Sequence, residues 1–142
     1  MRTFYIFKIN NEFTTLTKDY PLNLYKNMES IYYLEKNDFD LAYKMFEKLA
    51  DPFDKKTINN KIFKNYRQNQ NYTKWGNTHM FNNYYTDEES QLTIRNAHLI
   101  LISTVGNPVF FNDLSDMKDL FVCDFQNKDY FWMDQLLYKI HT

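Results

Sequence analysis

The sequence predicts a single α/β domain of the α+β type: a central, mostly antiparallel sheet with an N-terminal strand and a C-terminal hairpin, covered by helices. Three observations carry this. Residues 3–9 and 120–133 are rich in aromatic and β-branched side chains, which favour a pleated surface, and polar Gln126-Asn127-Lys128-Asp129 splits the second run as a turn. Between residues 21 and 66 the apolar side chains instead recur at three- and four-residue steps, the period of a helix. Residues 92–95 and 98–104 flank Asn96-Ala97 as a second hairpin.

In chain order, residues 3–9 form a strand apolar on both faces, as inside a sheet covered on both sides. Residues 12–18 make a short helical turn. Pro21 opens a helix, where its missing N–H costs nothing, and Leu24, Met28, Ile31 and Tyr32 line its inner stripe up to Glu35. Asn37-Asp38 supplies a break and a new N-cap; the helix over 39–50 is expected to bury Leu41, Ala42, Met45, Phe46 and Leu49 before Pro52 ends it. A third helix over 55–66 carries Ile58, Ile62, Phe63 and Tyr66 on one face. Residues 67–78 are polar, aperiodic and contain Gly76, so a loop is expected, followed by a weak strand over 80–84. Asn107-Pro108 caps a helix carrying Phe110 or Phe111 with Leu114 and Met117, and a tail helix over 135–140 follows the final hairpin. No linker or repeat interrupts this order.

With 142 residues and a hydrophobic fraction of 44%, the chain is one domain's worth of material, able to bury roughly 70% of its unfolded surface. A net charge of −1 argues against binding nucleic acid through the field of the whole chain. The lone Cys123 excludes an internal disulfide and suits a reducing cytoplasm. Lys8 and Asn10 break the first apolar run before a signal segment forms, and no run approaches the ~18 residues of a membrane span. A soluble, cytoplasmic protein with no membrane association is expected.

Catalytic chemistry is largely missing from the residue pattern. Cys123 sits mid-strand and reads as a small buried hydrophobe rather than a nucleophile. His79, His98 and His141 are scattered without metal-ligand spacing, and the isolated Gly76 and Gly106 make no phosphate cradle. No cofactor, metal or enzymatic activity is expected. One electrostatic feature remains. No acidic residue occurs between Asp54 and Asp87, while Lys61, Lys64 and Arg67 recur along one side of the third helix and Tyr66, Tyr72 and Trp75 interleave with them. The segment reads first as a solvated helix face with an aromatic-anchored loop, next as a contact for an acidic partner, and last as a nucleic-acid-binding module over 55–75.

Both ends of the chain resemble the sporulation inhibitor of replication family, SirA, small proteins of Bacillota. The resemblance lies in an aromatic first strand followed by Asn10-Asn11-Glu12-Phe13, and in a closing strand with Asp124-Phe125, a polar turn and Tyr130-Phe131-Trp132. Residues 92–103 are similar to the family's preceding hairpin, whereas 54–85 align poorly. The resemblance implies a single SirA-like domain over 1–142, non-enzymatic, that binds the N-terminal domain of the replication initiator DnaA and blocks initiation. The family's contact surface includes the Phe after the first strand, here Phe13, which reads equally well as an exposed anchor or as a residue tucked under the sheet. Relatives place a Tyr four residues later, where this chain has Thr17, with Tyr20 one turn on. The helix before Pro52 also contributes contacts in the family, and its polar positions here include Lys44 and Lys48. The competing readings are the nucleic-acid module over 55–75 and a small-molecule or acyl-transfer domain, which a polar-lined pocket beside His98 or Cys123 would favour.

Overall fold

The computed structural model describes residues 1–136. The strands are β1 (Arg2–Ile9), β2 (Ala50–Asp51), β3 (Tyr72–Trp75), β4 (Thr78–Asn83), β5 (Glu88–Ile94), β6 (Leu99–Ser103), β7 (Leu120–Asp124) and β8 (Asp129–Trp132). The helices are α1 (Asn11–Thr17), α2 (Pro21–Leu34), α3 (Phe39–Leu49), α4 (Lys55–Tyr66) and α5 (Phe110–Leu114), and Met133–Gln135 form one 3-10 turn. The strands join in one sheet of order β3-β4-β5-β6-β1-β7-β8, antiparallel throughout, with β2 against the end of β1. The expected α+β architecture therefore holds.

β1 lies inside the sheet, between β6 and β7, which is why its side chains are apolar on both faces. Phe4 and Ile6 face one core with Ile58, Ile62 and Tyr66 of α4 and Phe110, Phe111 and Leu114 of α5. Phe7 and Ile9 face the other, with Leu24, Met28 and Ile31 of α2 and Ala42, Phe46 and Leu49 of α3. Phe121 and Val122 divide β7 in the same way. The result is three layers, helices on either side of the sheet.

Local chemistry fixes the helix starts. The Asn10 side-chain Oδ1 accepts from Phe13 N–H at 2.9 Å, and the side chains of Asp38 and Asp54 accept from Leu41 N–H at 3.1 Å and Thr57 N–H at 3.3 Å. At α5 the expectation fails: Asn107 does not cap. Val109 occupies the N-cap, and its N–H goes to the buried Glu88 carboxylate at 2.9 Å. Both Phe110 and Phe111, rather than one of them, are buried.

Three further expectations are corrected. Residues 67–78 are not a loop: β3 pairs with β4 from Tyr72↔Phe81 to Trp75↔Thr78, and Gly76 turns the corner at φ +59°. β5 begins at Glu88 rather than Leu92, because Ser90 and Glu88 point inward and satisfy each other. Leu41 and Met45 of α3 and Phe63 of α4 are exposed instead of buried. Most of the expected tail helix over 135–140 lies outside the described residues. Among the described residues no helix is long and apolar enough to cross a membrane.

Candidate docking face

β1 hands the chain directly to α1. The Asn10 side chain caps that helix, and its amide also reaches across to donate to the Lys48 carbonyl at 2.6 Å. The Asn10 N–H donates to the Leu49 carbonyl at 3.0 Å, and Ile9 pairs with Ala50 in the sheet. Ile9 and Asn10, before α1, are thus held to Lys48, Leu49 and Ala50, at the end of α3, by backbone and side-chain hydrogen bonds. These bonds tie the start of α1, the helix that carries Phe13, to the end of α3, the helix that carries Lys44 and Lys48.

Phe13 is half-buried, its ring packed against the α2–α3 core while its helix stays on the surface. The structure falls between the two readings of this residue. Thr17 is also half-buried, and its hydroxyl returns to the Phe13 carbonyl. Tyr20 is 63% exposed at the entry to α2, and Leu16, one turn along α1 from Phe13, is 64% exposed. On α3, Leu41, Lys44, Met45 and Lys48 are all exposed and recur at three- and four-residue steps, so they share one flank of the helix. Of the thirteen exposed large hydrophobic side chains among the described residues, eight lie between Leu16 and Met45. Of these eight, Phe39 and Tyr43 project from the other flank of α3, while Leu41 and Met45 share theirs with Lys44 and Lys48; exposed apolar side chains of this kind are a feature of interaction surfaces.

Sequence reasoning missed Leu16, Leu41 and Met45. The available signal was excess: α3 carries apolar residues at 39, 41, 42, 43, 45, 46 and 49, more than one buried stripe needs.

The basic segment does not assemble as a nucleic-acid site. Lys61 is paired with Asp116 at 2.5 Å, leaving Lys64 exposed on α4 and Arg67 exposed just after it. Tyr66 and Tyr72 are buried in the core instead of offering stacking faces. Trp75 is 81% exposed, but strand alternation turns it to the sheet face opposite the one that Tyr72 and α4 share. The aromatic and the cations are therefore on different sides.

Cys123 and His79 are both buried, whereas His98 lines a cleft between α3 and the β5–β6 turn. Cys123 is fully buried under α2, and burial pushes its thiol well above the ordinary value, with Glu29 adding to the effect. His79 is buried between Tyr72 and Asn59, both at 2.7 Å. Burial, reinforced by Lys74, lowers its pKa to about 4. Among the described residues no cluster of His, Cys, Asp and Glu is arranged to hold a metal; His141 lies outside them. No protein-family model matches the chain, and no curated protein is significantly similar to it.

Proposed function

We propose that this protein is a non-enzymatic cytoplasmic regulator that docks a protein partner on the α1–α3 face. The partner is the N-terminal domain of the replication initiator DnaA, as the resemblance to the SirA family implies, and occlusion of that domain blocks initiation of replication. The observation that carries the reading is the Asn10 bridge, which ties the start of α1, the helix of Phe13, to the C-terminal end of α3, the helix that bears Leu41, Lys44, Met45 and Lys48. The family draws its contacts from the Phe after the first strand and from the helix before Pro52, and here those two elements adjoin. The exposed apolar side chains of α1 and α3 supply anchors of the kind that dominate interface energies, and the two lysines supply a rim suited to an acidic partner surface. Occlusion needs neither cofactor nor catalytic group.

Titration calorimetry against the initiator's N-terminal domain tests this, with Phe13→Ala and Leu16→Asp alongside. Micromolar binding that both variants lose supports the reading. Leu16→Asp is the cleaner of the two, because Leu16 is exposed and its loss leaves the core intact. Absence of binding by the folded wild-type protein refutes the partner. Binding that both variants retain refutes the face.

A further inference from the structure

On the opposite flank of α3 from the docking residues, a cleft of about 380 Å³ opens between that helix and the β5–β6 turn. This lies in the lower part of the range of small-ligand pockets, roughly 300–1,000 Å³. Its walls are aromatic: Tyr5 rises from the sheet, and Phe39, Tyr43 and Phe46 descend from α3. A second cleft of similar size continues past Tyr43 and Phe46 toward Pro52, so the slot is open at one end.

Three polar side chains line this aromatic slot with no ion pair or side-chain hydrogen bond among the described residues. Arg95, on the turn, has no carboxylate within ion-pair distance among the described residues, and Glu35, at the end of α2, has no cation within it. His98 packs against Tyr5 and Phe7, each 5.7 Å away between ring centres, and its Nδ1 is buried with no hydrogen-bond partner. Buried polar atoms are rarely left unsatisfied, and unpaired opposite charges on two walls of one slot are complementary to a ligand that carries both. Flat aromatic walls favour a flat ring between them.

We propose that this cleft binds a small aromatic zwitterion, a planar ring bearing one carboxylate and one amine. The ring lies between Tyr5 and the α3 aromatics, the carboxylate meets Arg95 on the turn side, and the amine meets Glu35 on the α2 side. This site is independent of the docking reading: it uses Phe39 and Tyr43, whereas docking uses Leu41 and Met45.

The test is titration of the full chain, followed by two-dimensional NMR, with tyrosine and tryptophan as probes. Tyramine, which lacks the carboxylate, and 4-hydroxyphenylpropionate, which lacks the amine, are the matched controls. Saturable shifts confined to the cleft, with each control weaker by at least about tenfold, support the proposal. Arg95→Gln then erases the advantage of tyrosine over tyramine, and Glu35→Gln erases its advantage over 4-hydroxyphenylpropionate. Both residues lie outside the core, and the spectrum of each free variant confirms its fold. No saturable shift with either amino acid overturns the proposal, as do controls that bind equally well or variants that leave the preferences unchanged.

Discussion

Lowering the pH from about 7 to about 5 is expected to cost the fold about 2 kcal/mol through His79 alone. The ring is fully buried on the α4 side of the sheet. Asn59 gives its amide N–H to Asn77 at 2.9 Å and presents its carbonyl oxygen to the ring, so Nε2 carries the proton and Nδ1 accepts from the Tyr72 hydroxyl. That arrangement suits only the neutral imidazole. The unfolded chain binds a proton near pH 6.5 and the folded chain only at about 4, so in this window the unfolded state holds more protons. Stability from this group is complete above about 6.5 and is lost as pH falls toward about 4; integrating between pH 7 and pH 5 gives about 2 kcal/mol. Urea titrations followed by circular dichroism at the two pH values, on the wild type and on His79→Gln, measure it. Glutamine does not titrate, and its amide can both donate to Asn59 and accept from Tyr72. The variant is expected to lose about 2 kcal/mol less than the wild type over the same interval, with the His98 contribution common to both. An equal loss in the two proteins would refute the neutral, buried imidazole.

Other outcomes follow from particular contacts. Arg2 bridges the buried Asp124 at 3.0 Å and Asp129 at 2.9 Å, and its guanidinium stacks 4.6 Å from the Phe4 ring. Burial opposes the charge on Asp124, but Asn127 and Arg2 outweigh it and hold the carboxyl below its ordinary pKa. Arg2→Ala is expected to lower stability by about 1–3 kcal/mol and to raise the Asp124 pKa, read by urea titration and by carboxyl NMR. Gly76→Ala meets open space but must hold φ at +59°, so it costs about 1 kcal/mol in the same urea assay, and Gly76→Asn costs less. Asn10→Ala removes both the α1 cap and the bridge to Lys48. A stability loss of about 1 kcal/mol accompanied by a larger loss of partner affinity is expected, measured by calorimetry on the folded variant.

Wherever the local pattern and the tertiary environment agree, the fold was legible in the sequence. β1 announces an interior strand because both its faces meet helices, and Asp38 and Asp54 announce the starts of α3 and α4 because capping is a matter of a few adjacent residues. β3 escaped because it is an edge strand with only Tyr72 buried, which erases the alternation that betrays most strands; the Gly76-Asn77 pair between Trp75 and Thr78 was its one local sign. The start of β5 escaped for the opposite reason. Its inward positions are polar, and Glu88, Ser90 and Ser103 satisfy one another across the sheet at 2.5 and 2.8 Å, a pairing that no single segment reveals. Phe13 and Thr17 sit on α1 and Tyr20 at the entry to α2, a proximity that their spacing in the sequence already carries. Helical spacing says which residues share a face, not which face meets the sheet, so it puts Leu41 and Met45 in the core where the structure exposes them.

The two sides of the sheet differ in a way that bears on docking. On the α4–α5 side, polar groups pin elements to one another: Tyr66 donates to Asp113, Asn65 donates to the same carboxylate at 2.9 Å, and Glu88 holds the start of α5. Such networks fix a single arrangement and leave little apolar surface to spare. On the other side α2 and α3 are held mainly by apolar and aromatic packing, including Tyr25 on Tyr130 at 4.7 Å and Tyr32 on Phe125 at 4.4 Å. The outward side of α3 keeps Leu41 and Met45 exposed. What keeps that face from being merely loose is the junction at Ile9, Asn10 and Ala50, where β1, α1 and α3 share backbone hydrogen bonds. A partner seated across α1 and α3 meets two elements already fixed to one strand, so little ordering entropy opposes its binding and the exposed apolar area is free to contribute to affinity.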